Sequence, residues 1–234
     1  MSEPILIMGG NSGIGLATVR RLLDSGRQVV AATRHSDQLE ALGVPTVPFD
    51  AESPALDASA LPERLGGLVY FPGTISLKPF HRLGPDDFRK DLEINLLGAV
   101  AAIQAALPAL KRAGHASVVL FSTVAVCQGM PFHASIAAAK GAVEGLARSL
   151  AAEFAPAIRV NVIAPSLTDT PLAGALLNSD AKREASAKRH PLQQVGDPGD
   201  VAALVGFLLS DASKFITGQT LRPDGGLSSI RLFA

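Results

Sequence analysis

The chain has 234 residues, with 21 Lys plus Arg against 21 Asp plus Glu, 47 % hydrophobic residues, one Cys, one Tyr and no Trp. That is the size and apolar content of one globular domain, and zero formal charge leaves no field to gather phosphate backbones or anionic lipid. Nucleic-acid and membrane partners are therefore not expected, and a small-molecule site is the default. Cys127 alone cannot close an intramolecular disulfide, and Met1-Ser2-Glu3-Pro4 has neither the basic start nor the apolar run of a signal peptide, so a cytoplasmic protein is expected. The apolar stretches 98–103 and 204–209 fall short of the ~20 residues that cross a bilayer.

Short apolar runs alternate with helical patterns along the chain. Strands are predicted at Ile5 to Met8, Gln28 to Thr33, Val44 to Phe49, Leu68 to Phe71, Ser117 to Ser122, Ile158 to Ile163 and Gln219 to Arg222. After the first run, Leu16, Val19 and Leu23 recur at helical spacing with Arg20, Arg21 and Asp24 on the other side, and Gly26 stands where it can close the helix. Longer helices are expected over Pro85 to Lys111 and Ala134 to Phe154. Near-continuous apolar strands between helices read as a parallel sheet covered on both faces, so the fold class is α/β, doubly wound, in a single domain. No repeat, low-complexity tract or linker divides the chain. The most polar segment, Leu172 to Pro191, follows a strand end and is expected to be a surface helix pair or a substrate lid within about 165–195.

The first strand runs into Gly9-Gly10-Asn11-Ser12-Gly13-Ile14-Gly15 and then into the amphipathic helix. Strand, glycine turn and helix in that order form a dinucleotide-binding fingerprint, in which the glycines let the backbone approach a pyrophosphate and the helix N-terminus supplies N–H donors. The ribose-reading residue belongs at the end of the second strand, ~20 residues beyond the glycines. There the sequence has Thr33-Arg34 and no acid, which leaves room for a 2′-phosphate and a guanidinium to grip it, so NADP(H) is the expected cofactor. Asp50, closing the third strand, is either an acceptor for the adenine amino group or a turn former. No metal is expected.

Gly9, Gly13, Gly15, Asn95, Lys140 and Asp224-Gly225-Gly226, with the segments 159–165 and 216–226, give the whole chain a resemblance to the short-chain dehydrogenase/reductase family. That resemblance implies a seven-stranded sheet, hydride transfer between a nicotinamide cofactor and a hydroxyl or carbonyl substrate, and a homodimer or homotetramer formed through the two long helices. For the second of these, Gly141, Ala142, Gly145 and Ala147 are small enough for close helix contact. It further implies that Ala51, Phe71, Gly73, Pro165, Thr168 and Thr170 line the cofactor, that Asn95 helps hold a proton-relay water, and that Lys140 binds the ribose hydroxyls.

The same comparison exposes departures. The serine position is Thr123, which keeps a hydroxyl. The tyrosine position, four before Lys140, is Ile136. The phenol in that position serves as proton donor, and a positioned general acid contributes roughly 10²–10⁴-fold, so ordinary ketone reduction needs another group here. Tyr70-Phe71-Pro72-Gly73 stands where Asn-Asn-Ala-Gly is usual, and Ser166 replaces a common glycine. Candidate replacements for the acid are His133 at the start of the second long helix, which is otherwise a surface residue, Tyr70 at a strand end, whose position in the family serves packing, and Cys127, which is otherwise an inert buried thiol. Three readings remain open: an NADPH-dependent reductase of a conjugated enoyl or dienoyl thioester-like substrate, in which Asn95, Thr123 and Lys140 stabilise an oxyanion; a carbonyl reductase with a displaced acid; and an NADP(H)-binding sensor or inactive subunit.

Overall fold

The computed structural model describes residues 3–232. Its strands are β1 Ile5–Met8, β2 Val29–Thr33, β3 Thr46–Pro48, β4 Gly67–Tyr70, β5 Ala116–Phe121, β6 Ile158–Ile163 and β7 Thr220–Leu221. They form one parallel sheet in the order β3-β2-β1-β4-β5-β6-β7. All seven predicted strands match to within two residues at either end. The greatest shortening is at β3, an edge strand paired only with β2 over Thr46 to Pro48, where ladder bonds form on one side only.

Successive side chains of a strand point to opposite faces, and β1 uses both: Ile5 and Ile7 enter one layer of the core, Leu6 and Met8 the other. The first layer is closed by α1 Gly13–Asp24 and α8 Pro198–Leu208, the second by α4 Gly98–Ala113 and α6 Ala134–Phe154. This is the doubly wound Rossmann-type arrangement. Its chain reverses direction of progress between β1 and β4, the point where such sheets open a crevice at their carboxyl ends. Short helices α2 Asp37–Glu40, α3 Pro85–Leu92, α5 Ala125–Gln128 and α7 Asp180–Ala187 complete the fold.

The buried face of α1 differs from the predicted one. Gly15, Thr18, Val19 and Leu22 are buried, whereas Leu16 and Leu23 are only half-buried, because the helix packs against both the sheet and its neighbour α8 and turns its Gly15–Leu22 side inward. Gly26 closes it as expected: its N–H donates to Leu23 O at 2.9 Å and that of Arg27 to Leu22 O at 2.9 Å, with Gly26 at φ +73°.

The predicted helix from Pro85 is interrupted. A π turn over Glu93–Leu97 separates α3 from α4, and both Ile94 and Asn95 are buried within it. By length and composition the run Pro85–Ala113 is apolar enough to cross a bilayer, which the sequence reading did not foresee. Here its apolar face, including Ala102, Ile103, Ala106 and Leu110, is buried in the core against the sheet. On α6, Ala147 is also turned inward, at 1 % exposure, so it is not available to a partner helix, while Gly145 is exposed. The polar segment after β6 is folded as a 3₁₀ turn over Pro171–Leu176 followed by α7.

Candidate active site

A cavity of about 900 Å³ opens at the carboxyl ends of the strands. Its volume lies at the upper end of the ~300–1,000 Å³ usual for small-molecule sites. Gly9, Asn11, Ser12, Gly13, Ile14 and Gly15 form one wall. Gly15 is fixed by close approach, since a Cβ there would stand 2.6 Å from Gly9 O. Helix α1 starts at this wall with no acidic residue in its first turn and no side-chain cap from Ser12, so its leading N–H groups remain available to an anion. The Asn11 carboxamide oxygen accepts from Gln38 N at 3.1 Å, tethering the loop to α2.

At the end of β2, Thr33 Oγ1 donates to His35 O at 2.9 Å and shapes the turn that puts Arg34 on the rim of the cavity. Arg34 Nη1 lies 3.8 Å from Asp50 Oδ1, and both side chains are about half exposed. Asp50 Oδ1 also accepts from Glu52 N at 3.0 Å, a turn contact, and the residue lines the cavity. Ala51, Phe71, Gly73, Pro165, Thr168 and Thr170 line the same cavity. The Thr170 hydroxyl is partly engaged, because it accepts from Ala173 N at 3.3 Å to start the 3₁₀ turn.

Lys140, on α6, reaches the cavity wall with its side chain buried, and its Nζ donates to Phe121 O at 2.9 Å. Burial lowers its pKa to about 8, against the opposing charge of Asp91. Ile136 lies one turn earlier on the same helix face, 5 % exposed, and also lines the cavity. Thr123 Oγ1 accepts from Ala125 N at 3.3 Å, which leaves its proton free to donate, whereas neighbouring Ser122 donates to Glu144 Oε1 at 2.7 Å. His133, the residue capping α6, lines the cavity; Pro131 O can only accept, so the 2.7 Å contact places the proton on Nδ1 and leaves Nε2 open.

Asn95 is not part of the cavity lining. It sits behind Gly73, where its Nδ2 donates to Thr74 Oγ1 at 3.0 Å and Asp91 O at 2.8 Å, and its buried Oδ1 has no partner. A Cβ on Gly73 would stand 3.1 Å from Asn95 Oδ1 and 3.4 Å from Lys140 Nζ, so the glycine keeps open a polar recess between them. That orphaned acceptor beside an ammonium suits a bridging water or ribose hydroxyl.

Two proposed acids are removed by the structure. Tyr70 is buried and outside the cavity; burial raises its pKa, helped by the charge of Glu93, and its hydroxyl donates to Ile94 O at 2.7 Å. Cys127 is exposed, not buried, and does not line the cavity. Sequence reasoning also missed two features. One is Asp91, fully buried and accepting from Thr74 Oγ1 at 2.6 Å and Ser76 Oγ at 3.0 Å; its only signal was a carboxylate one turn before Asn95. The other is His190, buried, whose Nε2 meets Ser166 Oγ at 2.9 Å.

A family model described as enoyl-(acyl carrier protein) reductase matches residues 9–228. The chain is similar to a tropinone reductase homologue of Arabidopsis thaliana, 33 % identical over 97 % of this chain and 91 % of that protein. Among solved structures it is similar to an aldohexose dehydrogenase of Thermoplasma acidophilum, with a TM-score of 0.91, 29 % identity and coverage of 100 % and 96 %. A gluconate 5-dehydrogenase of Burkholderia cenocepacia, solved with NADP and tartrate, gives a TM-score of 0.90, 29 % identity and coverage of 99 % and 97 %. With this sheet, this cavity and these relatives, the chain belongs to the short-chain dehydrogenase/reductase family of oxidoreductases.

Proposed function

We propose that the protein is an NADPH-dependent oxidoreductase that reduces a carbonyl or a conjugated enoyl or dienoyl thioester-like substrate in a site where Ile136 occupies the place of the family's tyrosine. The observation that carries the cofactor choice is Arg34, a guanidinium and not a carboxylate, on the cavity rim at the end of β2. The uncapped start of α1 fits a pyrophosphate, and the recess between Asn95 Oδ1 and Lys140 Nζ fits ribose hydroxyls or a water. The chemistry supplied by a bound nicotinamide is hydride transfer.

The chain's own residues supply the rest. Thr123 donates a hydrogen bond to the oxygen that gains charge, and the Lys140 ammonium makes the potential there more positive, which favours that charge. For a conjugated thioester this oxyanion stabilisation lets hydride add to the conjugated carbon without a proton on the oxygen, and the enolate so formed takes its proton from water. For a simple carbonyl the proton comes from water or from His133 once its Nε2 has also taken up a proton, since Ile136 has none to give. A cytoplasmic location and a homo-oligomer built on α4 and α6 belong to the same proposal; sedimentation as a monomer at micromolar concentration would remove the oligomer.

The second reading, an NADP(H)-binding sensor or inactive subunit, is favoured by the engagement of the chain's only phenol away from the cavity. NADPH fluorescence titration tests the shared part: micromolar binding with preference over NADH is expected, and Arg34→Glu should reverse the preference. NADPH oxidation with a panel of enoyl thioesters and ketones then separates the two, because a blank panel with intact NADPH binding leaves the sensor.

A further inference from the structure

Helix α7 turns one face to the cavity. Lys182, Ala185 and Ser186 line it from the helix and Arg189 from the turn just beyond its end, at i, i+3, i+4 and i+7, so that the four continue one stripe. The other two cations of this segment are engaged elsewhere, Arg183 with Asp169 at 2.6 and 3.1 Å and Lys188 with Glu184 at 2.6 Å. Lys182 and Arg189 have no carboxylate within ion-pairing distance among the described residues. Lys182 Nζ donates to Ala175 O at 3.2 Å, and Arg189 to Ala185 O and Ser186 Oγ, each at 3.4 Å. The carboxylates that line the cavity, Asp50 and Glu52, face Arg34 and Lys90 at 3.8 and 3.7 Å, at the β2 end. The α7 end therefore holds two uncompensated positive charges separated by small residues.

The helix is also held in place. Arg183 ties it to Asp169 in a two-pronged contact. Beyond its last turn, His190 Nδ1 donates to Ser186 O at 2.9 Å, which leaves Nε2 to accept from Ser166 Oγ at 2.9 Å on the loop after β6. Anchored at both ends, α7 presents its cationic stripe without first having to order a loop. The lining shared by the stripe and Lys140 includes the apolar side chains of Leu172, Leu176, Met130 and Ile136.

We infer that the α7 stripe is an anion-recognition face and that the substrate carries a carboxylate or phosphate at one end of an apolar body. The inference deepens the proposed reductase reading and rests on it for the location of the reacting end. Exposed cations act weakly one at a time, so together they are expected to contribute about five- to thirtyfold in affinity at low salt, lost as ionic strength rises.

The test is calorimetric titration of the folded chain, with and without NADPH, using hexanoate, methyl hexanoate and hexanoyl-CoA as probes. Expected is binding of hexanoate or hexanoyl-CoA that is at least fivefold tighter than that of the neutral ester, weakened by salt and by Lys182→Gln with Arg189→Gln, and unaltered by Lys188→Gln. The tighter of the two anions tells whether the group recognised is a carboxylate or a carrier phosphate. Equal binding of the ester, no binding of either anion, or indifference to the double substitution overturns the inference. So does a double variant whose loss falls on NADPH affinity, since the cations would then serve the cofactor. Failure of NADPH to bind would count against the reductase reading alone, because the titrations of the cofactor-free chain still decide the anion face.

Discussion

The hydroxyl of Tyr70 donates to the carbonyl of Ile94 at 2.7 Å, and a Cβ on Gly98 would collide with that same hydroxyl. The only phenol of the chain thus holds the π turn between α3 and α4 in place and takes no part in the cavity. Tyr70→Phe is expected to lower stability by about 1 kcal/mol, the net value of one buried hydrogen bond, with a further cost if Ile94 O is left unsatisfied. Urea denaturation measures this loss. NADPH affinity and any turnover should stay within twofold of the native chain, and a large loss of activity with unchanged stability would return Tyr70 to the list of acids.

Ile136 offers the converse experiment. It stands on the cavity wall one turn from Lys140, so a phenol placed there projects toward the same space. Ile136→Tyr is expected to raise NADPH-dependent reduction of a simple ketone by roughly 10²-fold or more, the scale of a positioned general acid. Steady-state kinetics would show the gain in kcat. No gain with NADPH still bound would mean that the substrate end of the cavity is shaped for something other than a ketone.

Lys140 should make both stability and cofactor affinity depend on pH, in opposite senses. Its ammonium is destabilised by burial, so its pKa falls from 10.5 to about 8 on folding. Below pH 8 both states hold the proton and the folded one carries a buried charge. Between about 8 and 10.5 the unfolded chain binds more protons than the native one, so native stability rises with pH by about 3 kcal/mol across that window. NADPH, which gains from the ammonium, should bind more weakly as pH climbs through about 8. Lys140→Met should flatten both profiles; urea denaturation and fluorescence titration between pH 7 and 10 read them.

Asp91 is predicted to matter beyond its fold position. Asp91→Ala leaves the hydroxyls of Thr74 and Ser76 without their acceptor and removes the negative charge that acts on Lys140, at a cost of about 3 kcal/mol. Asp91→Asn keeps the shape and loses the charge. Its expected signature is a lower pH midpoint for the Lys140 transition, seen in the NADPH titration, and an unmoved midpoint would show that the carboxylate acts on packing alone.

The architecture was legible because its signals are local and periodic. Ile5 to Met8, the glycine turn and the helix after it form one continuous pattern, and the parallel character of the sheet follows from strands joined by helices. The cavity lining was legible for residues such as Arg34, Thr123 and Lys140, which lie at strand ends or on helix faces whose direction the fold class sets. What stayed hidden depends on which atoms meet across long sequence separations. Asp91 has no sequence signal that separates it from a helix-surface acid, since Thr74 and Ser76, which cover it, lie 17 and 15 residues away. Cys127 fell in an apolar run yet lies on the outside of the short helix α5. His190 had no periodic signal, because its partner Ser166 comes from a different loop. The inward face of α1 was off by one position because packing against α8, and not hydrophobicity alone, sets its rotation.

The π turn over Glu93–Leu97 gives this helix a property that no substitution can mimic. An α-helix advances about 100° per residue, so the widened turn acts as a phase shifter: Asp91 addresses Thr74 and Ser76, Asn95 the recess behind Gly73, and Ala102, Ala106 and Leu110 downstream address the sheet. Shortening this stretch by a single residue would swing one half against the other by about that angle. In this region the count of residues is a tighter constraint than their identity.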